Sequence, residues 1–116
     1  MSAAKNLGFG PERRLSTRTE FRKVFAGGVS TSGQHFSVVV LPHPQEKRLG
    51  LTLRRGLGNA PQRNRLKRRL REIFRARQHD LKPGSLIMIP KDGAASLTWE
   101  QCREQVVALW QRAKVL

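Results

Sequence analysis

The chain has 116 residues, with 23 Lys and Arg against 8 Asp and Glu, for a formal net charge of +15. That length supports one ordinary core and not two, and a hydrophobic content of 38% with two Trp and five Phe excludes a wholly disordered chain. The charge exceeds what solubility requires and points to a polyanionic partner, while the single cysteine, Cys102, excludes an intrachain disulfide and a Cys-rich metal site.

In chain order, residues 1–14 show no periodicity and end in Arg13-Arg14, so a flexible basic leader is expected, followed by a single domain over residues 15–116. The N-terminal MSAAKNLGFG lacks the apolar segment of a secretory signal, and no apolar run approaches a membrane span. A cytoplasmic protein with no membrane partner is the expectation.

Ser16 or Thr17 is placed to cap a short helix in which Phe21, Val24 and Phe25 recur on one face until Gly27-Gly28 stops it. Such an aromatic stripe is more often core than ligand surface. The run HFSVVVL, from His35 to Leu41, alternates as a strand, with Phe36, Val38 and Val40 on one face and Ser37, Val39 and Leu41 on the other. RLGLTL, from Arg48 to Leu53, reads as a second strand. The two are expected to pair as an antiparallel hairpin, with room for one more short strand around Val29 to Ser32.

Gly56 and Gly58 break the second strand, Asn59 is a good N-cap and Pro61 suits a first helical turn. The helix predicted from Ala60 to Arg77 buries Leu66, Leu70, Ile73 and Phe74. At about 100° per residue, Asn64, Lys67, Arg68, Arg71 and Arg75 gather on its far side, flanked by Arg65, Arg69 and Glu72. Seven Lys and Arg stand between Arg63 and Arg75. Set side by side they repel one another, and phosphates relieve that repulsion. Arg outnumbers Lys by more than two to one over the chain, which suits bidentate contact with phosphate. A helix whose long stems merely cover its own core is the plainer alternative.

After a Pro83-Gly84 turn, SLIMIP carries no internal polar residue and reads as a central strand covered on both faces. Thr98-x-x-Gln101 forms a capping box, and the last helix is expected to bury Trp99, Cys102, Val106, Leu109, Trp110 and Ala113. The order α-β-β-α-β-α gives an α+β domain in which the basic helix serves as a crossover between strands.

Signatures of catalysis are absent. His35, His43 and His79 lie in three segments with no metal-ligand spacing, and Gly56-Leu57-Gly58 lacks the rest of a P-loop. The eight acidic residues form no cluster for two Mg²⁺ ions. A protein-only ribonuclease built on His35 and His79 stands as the enzyme-class alternative.

Gly58-Asn59-Ala60, followed by Arg63-Asn64-Arg65-Leu66-Lys67-Arg68 and Arg71-Glu72, resembles the signature of the bacterial ribonuclease P protein component, the small basic subunit that assists a catalytic RNA in trimming the 5′ leader of precursor tRNA. Leu15, Phe21-x-x-Val24-Phe25, Gly28, Phe36 and Leu97-Thr98-Trp99-Glu100 extend the resemblance over most of the chain. It implies a two-layer α/β sandwich like ribosomal S5 domain 2, with a left-handed βαβ crossover at the basic helix, and hence a single RNA-binding domain.

The resemblance also implies two RNA surfaces. Arg63, Asn64, Arg65, Lys67, Arg68, Arg71 and Arg75 would dock on ribonuclease P RNA. Phe21, Phe25, Ser37 and Val39, with Arg54, Arg55 and Lys91, would take the single-stranded leader, which recasts the two Phe as stacking residues. The reaction would use Mg²⁺ held by the RNA, with no catalytic residue, metal site or protein partner expected of this chain. Val39 stands where some members carry Tyr, Gly56 where Lys is common, and Pro61 in place of a plain apolar residue. A ribosomal or other structured-RNA-binding protein is the alternative without a processing role.

Overall fold

A computed structural model describes residues 13–116, so the expected leader falls outside the described residues except for Arg13 and Arg14. Arg14 bridges in parallel to Leu49, and the Leu15 amide donates to the Leu49 carbonyl at 3.0 Å. The described elements are α1 (Arg18–Gly27), β1 (Val29–Ser32), β2 (Phe36–Pro42), β3 (Lys47–Leu51), α2 (Ala60–Arg77), β4 (Gly84–Pro90) and α3 (Trp99–Arg112), with single 3-10 turns at Arg55–Leu57 and Ala94–Ser96.

Each helix begins where its cap sits. Thr17, Asn59 and Thr98 accept from the backbone N–H of Glu20, Gln62 and Gln101, whose side chains reach back to the cap amide. These reciprocal bonds satisfy donors that no helical carbonyl can reach.

The four strands form one sheet in the order β1-β2-β4-β3, with β3 parallel to β4 and the other pairs antiparallel. The expected hairpin of β2 with β3 therefore does not form, because β4 lies between them. The reason is in β4 itself. Leu86 and Met88 enter the core beneath α2 and α3, while Ile87 and Ile89 face the smaller cluster beneath α1. A strand apolar on both faces loses the most water between two neighbours. The loop from β2 to β3 arches over the start of β4, where the Gly84 amide donates to the Glu46 carbonyl at 2.7 Å. A Cβ on Gly84 would stand 2.9 Å from the Leu41 carbonyl oxygen, so glycine is required there.

α2 and α3 cover one face of the sheet over a core that includes Phe36, Val38, Leu66, Leu70, Phe74, Val106 and Trp110. The Trp110 indole N–H donates to the Met88 sulfur at 3.3 Å. Lys47 caps the far end of α2 by donating to the Gln78 carbonyl at 2.7 Å. Trp99 departs from expectation: it lies on the buried stripe of α3 but is 38% exposed. The stripe marks a helix face, and the neighbouring elements leave the first turn partly uncovered.

α1 lies on the opposite face, where Val24 joins Leu15, Val39 and Ile87. A Cβ on Gly50 would stand 2.9 Å from Phe21 Cζ, so Phe21 packs directly on the β3 backbone. Glu20 fastens this corner. Its carboxylate accepts from the amides of Ser16 and Thr17 at 2.9 and 3.1 Å and from the Arg48 guanidinium at 2.7 Å. Those backbone bonds first, then Arg48, pull its pKa from the ordinary 4.5 down to about 2. A group depressed in the folded state contributes stability above its unfolded value and loses it as pH falls through the folded one. Acid unfolding between pH 4.5 and about 2 is thus expected to be steeper for the native chain than for Glu20→Gln. Superimposable acid titrations followed by circular dichroism would contradict this.

Candidate RNA interface

The basic helix α2 leaves its turn with Asn59 as cap and Pro61 in the first turn, a geometry that fixes where each following side chain points. Arg63 folds back onto the turn, donating to the carbonyls of Gly58 at 2.6 Å and Arg55 at 3.3 Å. Its charge stays at the head of the helix while its guanidinium braces the entry. On the flank toward α3, Arg65 donates to the Ala95 carbonyl at 3.2 Å and Arg69 to the Leu97 carbonyl at 2.8 Å.

Asn64 and Arg68 point away from the core and are exposed. Lys67 and Arg71 occupy the other flank, half-buried. There burial, and then the Arg14 guanidinium, lower the Arg71 pKa from its ordinary value. Arg71, partly withdrawn from water and close to the exposed Arg14, gains from an anion placed between the two. Arg75 is paired with Glu72, its Nε donating at 3.1 Å, and that carboxylate raises the Arg75 pKa. The predicted residues therefore form one face, but unequally: Asn64 and Arg68 are exposed, Lys67 and Arg71 are half-buried with Arg71 near Arg14, and Arg63, Arg65 and Arg75 each hold a contact within the protein.

The second surface lies on the α1 side of the sheet. A depression of about 420 Å³ is lined by Thr52, Arg54, Ile89, Pro90, Lys91 and Asp92. Ser37 is the register partner of Ile89, so it borders the same area. The Ser37 hydroxyl is 3.3 Å from that of Ser32. Lys91 donates to the Ser32 hydroxyl at 2.5 Å and the Gly33 carbonyl at 2.7 Å, and Arg54 pairs with Asp92. Phe25 is 47% exposed on α1. Phe21 is half-buried against Gly50. Val39 is buried in the cluster beneath α1 and has no exposed face on which a base could stack. Arg55 is exposed on the turn leading into α2 and does not line the depression.

Sequence reasoning missed Arg14 beside Arg71, and Thr52, Ile89 and Asp92 in the depression. Arg14 carries a signal only as part of the basic pair that ends the leader. Ile89 reaches this place through strand register, and Thr52 and Asp92 through the segments that follow β3 and β4, none of which a local pattern encodes. Among the described residues no group of three or more His, Cys, Asp or Glu is placed to hold a metal ion. No helix among them is long and apolar enough to cross a membrane.

A strongly basic helix on one layer of an α/β sandwich, with a cation-bordered depression and an exposed phenylalanine on the other layer, defines an RNA-binding domain. The family model described as Ribonuclease P matches residues 9–114. The chain belongs to that family, as the protein component of the ribonucleoprotein endoribonuclease that acts in tRNA 5′ processing. Similar proteins include the ribonuclease P protein components of Bacillus pumilus, 36% identical over 88% of each chain, and Photobacterium profundum, 34% identical over 91% of this chain and 92% of that one. Among solved structures, a Staphylococcus aureus RNase P protein superposes with a TM-score of 0.85 at 27% identity, covering 89% of this chain and 96% of that one. The Thermotoga maritima RNase P protein, in complex with 1-(4-fluorophenyl)-2-thiourea, gives a TM-score of 0.79 at 30% identity, covering 85% and 98%.

Proposed function

We propose that α2 docks on ribonuclease P RNA while the opposite face, with its depression and the exposed Phe25 of α1, receives the 5′ leader of precursor tRNA. The observation that carries this reading is the separation of two cationic surfaces onto opposite layers of one sheet. Arg68 and Asn64, with Lys67, Arg71 and Arg14, sit on one side; Arg54 and Lys91 sit on the other, beside the apolar Ile89 and the Ser37 hydroxyl. One protein can therefore hold two RNA strands without their contacts competing.

Mg²⁺ belongs to the chemistry of the RNA in this reading, and hydrolysis involves no side chain of this chain. The protein screens the repulsion between catalytic RNA and substrate and positions the leader, working in the cytoplasm. Purifying the tagged protein from its own cells and sequencing the bound RNA tests the assignment of partner. Ribonuclease P RNA should be the enriched species; enrichment of ribosomal RNA instead would favour a ribosomal or other structured-RNA role.

A further inference from the structure

Between α2 and α3 runs a groove of about 420 Å³, on the layer away from the leader depression. Its floor is apolar, built from Ile73 and Ala76 of α2 and Val107 and Ala108 of α3. Trp99 stands at one end of it with 38% of its surface open. Neither the fold nor the α2 interface accounts for leaving the largest type of apolar side chain open over an apolar trough. The volume is that of a site for a small planar molecule.

The rim narrows the choice of occupant. Arg103 borders the groove with Arg77, which also lies 3.7 Å from the Asp80 carboxylate, and with Glu104, while Glu72 is paired with Arg75. With a chain charge of +15, a second copy of the protein is repelled and a polyanion is attracted. The groove also adjoins the basic face of α2, because Arg69 and Glu72 separate the two by less than one helical turn around the axis. RNA lying on that face passes the mouth of the groove.

We propose that the groove takes one unpaired nucleobase of the RNA docked on α2. The base stacks on the Trp99 indole, its flanking phosphates meet Arg77 and Arg103, and the Glu104 carboxylate at the rim accepts an N–H from the base edge. Unpaired bases are recognised in this way, by an aromatic face together with hydrogen bonds to their edges. The inference rests on α2 being the face that docks the catalytic RNA, and its test is separable from that reading.

Trp110 is fully buried, so Trp99 is the indole whose fluorescence a ligand in the groove can reach. Titrating the full chain with ribonuclease P RNA of the same organism should quench that emission. Trp99→Ala should weaken RNA binding by at least about fivefold, the change equivalent to ~1 kcal/mol, the lower end for a base on an aromatic ring. Trp99→Phe should recover most of the affinity, which a loss of folding would not allow. Unchanged affinity and emission, together with loss of binding in Arg68→Ala, would overturn the groove proposal and leave the α2 reading intact. Full binding by Arg68→Ala would instead count against the α2 reading. Emission that shifts with protein concentration in the absence of RNA would assign the groove to self-association and also overturn the proposal.

Discussion

Replacing Arg65 and Arg68 together by alanine is expected to weaken binding to ribonuclease P RNA by about 10- to 100-fold at low salt, since each charged hydrogen bond contributes on the order of 1 kcal/mol or more. The salt dependence discriminates more sharply than the affinity. Each lost phosphate contact removes roughly one unit from the slope of log K against log salt, so the double variant should show a slope shallower by about two. Arg68 is fully presented, and the Arg65 bond to the Ala95 carbonyl is long and near the surface, so folding should survive. Circular dichroism of the RNA-free variant checks that point. A slope equal to that of the native chain would refute the phosphate role whatever the affinity did.

Phe25→Ala is expected to act on a different quantity. Phe25 is 47% exposed, so its loss should leave the thermal midpoint nearly unchanged. It should weaken a leader-bearing precursor tRNA by ~1 to 3 kcal/mol, about 5- to 150-fold, with mature tRNA little affected, as one stacked base would require. Phe21→Ala makes the contrast, because Phe21 packs on Gly50 and beside Leu15. Its removal should cost stability as well as leader affinity. The pair is read by measuring both substrates and both midpoints, and equal losses for precursor and mature tRNA in Phe25→Ala would return Phe25 to a packing role.

What the sequence disclosed follows the range of the interactions involved. α2 was legible to the residue, Ala60–Arg77, because its cap, its first-turn proline and its apolar stripe are local. The Thr98–Gln101 capping box, the N-caps at Ser16 or Thr17 and at Asn59, and the two-sided character of β4 were legible on the same grounds, whereas the reciprocal bonds of Glu20 and Gln62 were not. The partner of β2 was not. Two alternating runs joined by a short polar loop suggest a hairpin, and nothing local reports that β4, some forty residues further on, is inserted between them. Trp99 shows the same limit, since periodicity gives the face of α3 but not how far its neighbours extend.

The residues proposed for contact with RNA divide along this line. Asn64, Lys67, Arg68 and Arg71 follow from helical spacing alone. That Arg63 braces its own turn, that Arg14 comes to stand beside Arg71, and that Val39 is covered by α1 are all consequences of packing. The two-layer arrangement turns a generally basic chain into one with two distinct cationic surfaces.

The central claim is that this chain enables a catalytic RNA to process precursor tRNA. It is tested most directly by the rate of leader removal by ribonuclease P RNA of the same organism at low Mg²⁺, with and without the protein, where electrostatic repulsion between the two RNAs is least screened. The account predicts a large acceleration on adding the protein, diminishing as Mg²⁺ or salt is raised. A rate that the protein leaves unchanged at low Mg²⁺ would contradict it.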